Sequence, residues 1–402
     1  MGKKNMIEFY SATLDTRINT MNSNTEIVHI MKNLTDPDGI PNFPCYIPFY
    51  LCRREHNINY ILVTRECLQP DIKQTNNLPH VKFMKNTAMI IKEIINNKPD
   101  LLIIYHHFGS PLTSMLLIIS KILHIKTIAQ PDFNGYLAPR IHRSISKTIK
   151  DFMRVALIFS QILLFDKIVG ATKYEIDSLS KIKKLSVCYY SIIPWGTNFD
   201  LCTYDKDNYI LTVSKWWRDR KNLHSALKVV SEVLKEKELK LIIVGKFFKG
   251  KDNEFEMMYN ESMTGEEYEA KIMGLIEDLG IKDHVEFTGV VSSEELQSLY
   301  RHARVYYMPT KFETFGGVFV EAMASGTPIV AMKNSAVQYV VEDGVTGFLR
   351  DTEEGQKEAI LKLFSDEALY REMQANCLKA AERYKWDNVI KLWEDLIDEL
   401  TE

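Results

Sequence analysis

Six cysteines in 402 residues are few, and they are scattered. Cys45, Cys52, Cys67, Cys188, Cys202 and Cys377 show no metal-ligand spacing. They read as reduced thiols of a cytoplasmic protein. No run reaches the roughly 18–20 uninterrupted apolar residues of a membrane-spanning helix. Residues 1–24 lack the apolar segment of a signal peptide and are expected to extend the first domain. Low-complexity tracts and short repeats are absent. A net charge of −3 gives no reason to expect a nucleic-acid partner. No Asp-x-Asp reads as a metal site: Asp36-Pro-Asp38 reads as a turn.

What is present is the composition of a soluble globular protein, 46% hydrophobic and 26% charged. The length exceeds one ordinary core, which predicts two domains. Apolar strand-like runs alternate with helical patterns, which predicts parallel sheets covered by helices. The first set is Glu26–Met31, Tyr60–Val63, Leu101–Tyr105, Lys126–Ala129, Lys167–Gly170 and Tyr190–Pro194. The alternation restarts with Tyr209–Val213, Leu241–Gly245 and Val285–Phe287. The turn formers in Pro194–Phe199 mark the linker. We expect two doubly wound Rossmann-like domains facing across a cleft, at 1–198 and 199–380, with a last helix in 381–402.

The densest signal lies late in the chain, at Glu313-Thr-Phe-Gly-Gly-Val-Phe-Val-Glu321. The strand-like run Arg304–Pro309 precedes it, and the apolar run Pro328–Ala331 follows. The pattern puts Glu313 in a loop at a strand end and Glu321 in the helix beginning near Gly316. Open α/β sheets bind ligands beyond the carboxyl ends of their strands. Gly316 and Gly317 let backbone N–H groups at a helix start approach a phosphate closely. A carboxylate is a natural acceptor for sugar hydroxyls.

This block resembles the retaining nucleotide-sugar glycosyltransferases of family 4, which have the two-domain GT-B fold. Val285–Gly289, Leu296–Tyr300, the glutamate pair and Glu342–Phe348 stand in that family's order and spacing. The resemblance is strong over 205–350 and weak before 165. It implies that the final helix crosses back onto the first domain. It implies that Glu321 binds the nucleotide ribose and that Glu313 faces the donor sugar. Phe315, Gly316 and Gly317 would lie against sugar and phosphates. Gly245 belongs to a loop expected to shape the donor pocket. In this fold cations and helix ends neutralise the leaving group, so no metal cofactor is expected.

The family's two donor-side cations fall on Lys215 and Lys221 of Ser214–Asn222. Breaking a sugar–phosphate bond leaves about two negative charges on the nucleotide, and positioned cations lower that barrier. Lysine at 215 keeps the charge of the family's arginine but loses its bidentate fork. Arg218 and Arg220 are alternative cations, and a solvated basic loop is the plainer reading.

The first domain says less. Gly39 is the glycine left in the Asn33–Phe43 loop, where the family is Gly-rich; a plain turn is the alternative. Where the family places a histidine, this chain has Gln130-Pro131-Asp132. Asp132 is a candidate acceptor-hydroxyl base, with Gln130 as the alternative. His106 and His107 read first as structural histidines. Arg140, Arg143, Lys147, Lys150 and Arg154 recur at helical spacing on one face, with Ile141, Ile145, Ile149, Phe152 and Ala156 opposite. That predicts either an amphipathic helix covering the sheet or a surface meeting anionic lipid or a lipid-phosphate acceptor.

The expected function is transfer of a sugar from a UDP- or GDP-sugar to a glycan or lipid-linked acceptor at the cytoplasmic membrane face. The rivals are a nucleotide-sugar 2-epimerase on the same fold and a non-catalytic nucleotide-sugar-binding partner of a transferase.

Overall fold

A computed structural model describes residues 26–31, 47, 57–63, 81–84, 87–105, 110–130, 145–180, 189–202, 204–249 and 263–401. Two parallel sheets organise it. The first contains β1 (Glu26–Met31), β2 (Asn57–Val63), β3 (Val81–Met84), β4 (Leu101–Tyr105), β5 (Lys126–Gln130), β6 (Lys167–Gly170) and β7 (Tyr190–Ile192). Its strand order is β3-β2-β1-β4-β5-β6-β7. The second contains β8 (Tyr209–Trp217), β9 (Lys240–Phe247), β10 (Val285–Gly289), β11 (Val305–Met308), β12 (Ile329–Ala331) and β13 (Gly347–Leu349), in the order β10-β9-β8-β11-β12-β13. Buried strands such as Leu101–Ile104 and Tyr306–Met308 are apolar on both faces, as a sheet covered on both sides requires.

In the first half the helices are α1 (Thr87–Asn97), α2 (Pro111–Leu123), α3 (Ile145–Leu164) and α4 (Lys173–Ser180). In the second they are α5 (Leu223–Leu234), α6 (Gly265–Asp278), α7 (Ser293–His302), α8 (Gly317–Ala324), α9 (Val337–Val340), α10 (Glu353–Ser365), α11 (Glu367–Ala381) and α12 (Trp386–Thr401). Local chemistry sets their starts. Ser292 and Glu295 form a reciprocal capping box on α7, and Thr264 and Glu267 form another on α6.

Two differences from the sequence reading matter. Ser214–Trp217 is not loop but the end of β8, which runs on past Val213 with a register shift between Val213 and Trp216. The irregularity falls at Ser214 and Lys215, and beyond it Trp216 and Trp217 pair with Lys246 and Phe247 of β9. In α3, the face holding Val155, Ile158 and Ile162 is the one buried on the sheet. The residues expected to cover the sheet, Ile149 and Phe152, are 54% and 49% exposed. The helix has two apolar stripes, and periodicity alone could not say which one faces inward.

The last helix reaches the first half. Lys167 of β6, itself nearly buried, pairs with Glu399 of α12 at 2.7 Å. Val389, Ile390, Trp393, Leu396 and Ile397 form its buried stripe.

Candidate active site

The direction of winding in the second sheet reverses between β8 and β11. Loops leaving the carboxyl ends of those neighbouring strands diverge and open a crevice, the usual ligand position in such sheets. Lys221 follows β8 and Glu313 follows β11. Their side chains meet there as an ion pair, Nζ to Oε1, with only 12% and 10% of each exposed. A pair so buried contributes little net stability, because desolvating both charges cancels most of their attraction.

The pair is held by backbone contacts between the two loops. Lys311 N–H donates to the Arg220 carbonyl at 2.8 Å, and the Thr310 hydroxyl donates to the same oxygen at 3.3 Å. The Lys311 ammonium pairs with Asp219 at 2.7 Å. From the other side, the Glu313 N–H donates to Ser335 Oγ at 2.9 Å, and Ala336 N–H donates to the Glu313 carbonyl at 3.2 Å. Ser335 holds a left-handed backbone, φ 34°, a strained conformation for serine. Sequence reasoning passed over Asp219, Asn334 and Ser335, and it placed Lys311 only in a loop expected to shape the pocket. The available signal was the turn-forming Asn-Ser pair directly after β12, at the same end of the sheet.

Gly316 caps α8 with φ 81°, and a Cβ there would come within 2.6 Å of the Phe319 ring. Glycine is therefore needed for backbone geometry as well as for any ligand. Gly317 opens the helix; the Phe319 N–H bonds back to the Gly316 carbonyl at 3.0 Å, and the Gly317 and Val318 N–H groups ahead of it give the helix start a partial positive charge. Phe315 does not line the site with its ring. It is 4% exposed and packs edge-on against Tyr384 at 5.8 Å, so only its backbone borders the crevice. Gly245, with φ 111°, lies where any side chain would strike the Ser214 carbonyl, so it serves the β8–β9 approach directly.

Glu321 lies in the second turn of α8 and is partly exposed. Burial pushes its carboxyl up to about 7, and the neighbouring Tyr300 hydroxyl opposes that rise. The Tyr300 hydroxyl is buried against Glu321 and Tyr306 without a hydrogen bond of normal geometry. Lys215 is exposed on the β8 extension; burial of its ammonium, then Lys246 nearby, lowers it below the usual lysine range. Arg218 is not an open cation: its guanidinium lies 3.5 Å from the centre of the Phe248 ring and is buried. Arg220 reaches the Phe312 carbonyl at 3.5 Å.

In the first half, Gln130 ends β5 and is 1% exposed, and neither atom of its amide has a hydrogen-bond partner among the described residues. Asp132, Gly39, His106, His107, Arg140 and Arg143 lie outside the described residues. Lys147, Lys150 and Arg154 lie on α3, with Lys150 exposed and Arg154 half-buried.

Residues 198–383 match the family model for glycosyl transferases group 1. Over that stretch, a little under half of the chain, the protein is similar to the group 1 glycosyl transferases. The D-inositol 3-phosphate glycosyltransferase of Corynebacterium urealyticum is 39% identical over 119 residues, 29% of this chain. The match spans only 28% of that protein's own length. Two solved structures share the whole architecture. Sucrose-phosphate synthase from Thermosynechococcus elongatus superposes with a TM-score of 0.73 at 18% identity, covering 94% of this chain and 99% of that one. Anabaena HepE, solved with UDP and glucose, gives 0.67 at 16%, covering 94% and 100%. The chain has the GT-B fold. Lys221 and Glu313 meet beside the start of α8, the helix that carries Glu321.

Proposed function

We propose that the protein is a retaining glycosyltransferase that moves a sugar from a UDP- or GDP-sugar to a glycan or lipid-linked acceptor at the cytoplasmic membrane face. The Lys221–Glu313 pair at the sheet's switch point carries this reading. A buried ion pair that gains little stability is retained for another reason, and a developing diphosphate charge supplies one. On donor binding Lys221 turns from Glu313 to the diphosphate, and Lys215 and the α8 N–H groups share the charge. Glu313 then faces the sugar, and Glu321 accepts hydrogen bonds from the ribose hydroxyls. The leaving phosphate oxygen takes the proton of the incoming acceptor hydroxyl on the same face of the sugar. The C1–O bond to phosphate breaks as the bond to the acceptor forms, so configuration is retained. Lysine charge and helix N–H groups serve as the electrophiles in this scheme, with no metal required. HepE, bound to UDP and glucose in its solved form, supports a nucleotide-sugar donor.

The test is thermal stabilisation by UDP-, GDP- and ADP-sugars in EDTA, with the wild type and Glu321→Ala. A rise with one nucleotide class, lost in the variant, is the expected result. No rise with any donor would sink the reading. Sugar conversion without acceptor would point instead to an epimerase, and binding without turnover to a non-catalytic partner subunit.

A further inference from the structure

We propose that the outer face of α1, α2 and α3 is a docking surface for an anionic lipid bilayer. These helices pack side by side, α1 against α2 and α2 against α3. Of sixteen large apolar side chains that stand exposed among the described residues, nine lie on these three helices. Such clustering is not the scattered exposure of an ordinary soluble surface. Ile122 and Met153 are 70% and 67% exposed, and Ile118, Ile149, Phe152 and Met115 stand beside them.

The inward stripe of α3 already fills its place on the sheet, so the outward stripe is surplus to the core. Charge decides what would cover it. Exposed Lys92, Lys121 and Lys150 and half-buried Arg154 interleave with the apolar side chains. Among the described residues two acids reach this face: Asp166 is held by Lys121 at 2.6 Å and by the Thr127 hydroxyl and N–H, and Glu93 accepts from the Asn97 amide at 2.7 Å. The excess of positive charge lies on α3, which carries Lys147, Lys150 and Arg154 against one acid, Asp151; anionic headgroups favour such an excess by about 1 kcal/mol per cation. The apolar side chains reach below the headgroups, as in helices lying in the interface plane. No helix among the described residues is long and apolar enough to cross a membrane, so the contact is peripheral. The inference deepens the reading of a membrane-face acceptor, but the binding itself does not depend on glycosyl transfer.

The experiment is co-sedimentation of the full chain with vesicles of phosphatidylcholine alone and of phosphatidylcholine mixed with phosphatidylglycerol. The variants are Ile118→Asp with Ile122→Asp, and Phe152→Asp with Met153→Asp. All four side chains point outward, and an unchanged melting temperature checks the fold. The wild type is expected to bind the anionic vesicles on the order of tenfold better than the neutral ones, less so in high salt. Each double variant is expected to lose on the order of tenfold. Equal binding by wild type and variants would overturn the proposal, as would no vesicle binding. A concentration-dependent dimer abolished by the same substitutions, without vesicle binding, would overturn it in favour of a protein interface. Stabilisation by donor, measured on the same samples, separates the two readings: its loss with vesicle binding intact refutes the transferase alone.

Discussion

The Thr172 hydroxyl donates a hydrogen bond of 3.0 Å to the carbonyl of Thr314, the residue next to Glu313. Thr172 follows β6 of the first sheet; Thr314 belongs to the loop after β11 of the second. Beside this bond the Tyr174 ring meets Phe312 edge-on at 5.9 Å. The loop that presents Glu313 is therefore gripped by the opposite half of the molecule. Thr172→Val keeps the shape and deletes the donor. A lost hydrogen bond of this kind costs about 1 kcal/mol. The expected result is a melting temperature lower by about 2–4 °C and slower turnover at saturating donor. Turnover at the wild-type rate would show that the grip does not reach the chemistry.

Lys221 and Glu313 lend themselves to a double-mutant cycle. Lys221→Met or Glu313→Gln alone leaves one partner uncompensated and is expected to destabilise the protein, by about 3–5 kcal/mol where a full charge is stranded. The double variant should regain most of that loss in urea unfolding. Turnover should fall by roughly 100- to 1000-fold with Lys221→Met and stay low in the double variant. Recovery of activity together with stability would make the pair purely structural.

Glu321 gives the site a pH dependence with a defined sign. Its folded-state pKa is raised to about 7, from an ordinary value of 4.5, chiefly by burial. Its contribution to stability is present in full below the unfolded value and is lost as pH rises through about 7. Binding runs the other way, because the ionised carboxylate is the better acceptor for ribose hydroxyls. Titration calorimetry with the preferred nucleotide sugar should show affinity rising from pH 6 to pH 8. The Glu321→Gln variant should bind more weakly and with a flat profile. A slope preserved in the variant would assign the dependence to another group.

Gln130 combines a stability gain with a functional loss. Its buried amide has no partner among the described residues, so Gln130→Leu is expected to remove a desolvation cost of about 1–3 kcal/mol. The expected outcome is a higher melting temperature and a higher KM for acceptor or donor. Higher stability with unchanged kinetics would leave the amide without a ligand role.

The fold was legible because it rests on long-period patterns: apolar runs separated by helical stretches report a wound parallel sheet whatever their contacts. β13 escaped, since Gly347–Leu349 is too short to show a period. The residues of the candidate site could be picked out one by one as expectations, but the pairing of Lys221 with Glu313 could not. Lys221 and Glu313 stand 92 residues apart, and they meet because β8 and β11 are neighbours, a fact of topology rather than of local sequence. Phe315 was read as facing ligand from the resemblance to family 4 alone. Tyr384, supplied from the far end of the chain, turned it inward. Lys215 was placed in a loop because its strand continues through a bulge, which interrupts the alternation that sequence reading follows.

The chain passes between its halves twice, once after β7 and once just before α12. The two passages are fastened together. Thr197 N–H donates to the Tyr384 carbonyl at 2.7 Å, Thr197 pairs with Lys385 as an isolated parallel bridge, and Gly196 has no room for a side chain because the Trp386 indole lies over it. They therefore work as one two-ply axle. Any turning of one half against the other would have to twist both plies together. A protease nick in either ply would leave the halves joined by the other, running as a single species until a denaturant parts them.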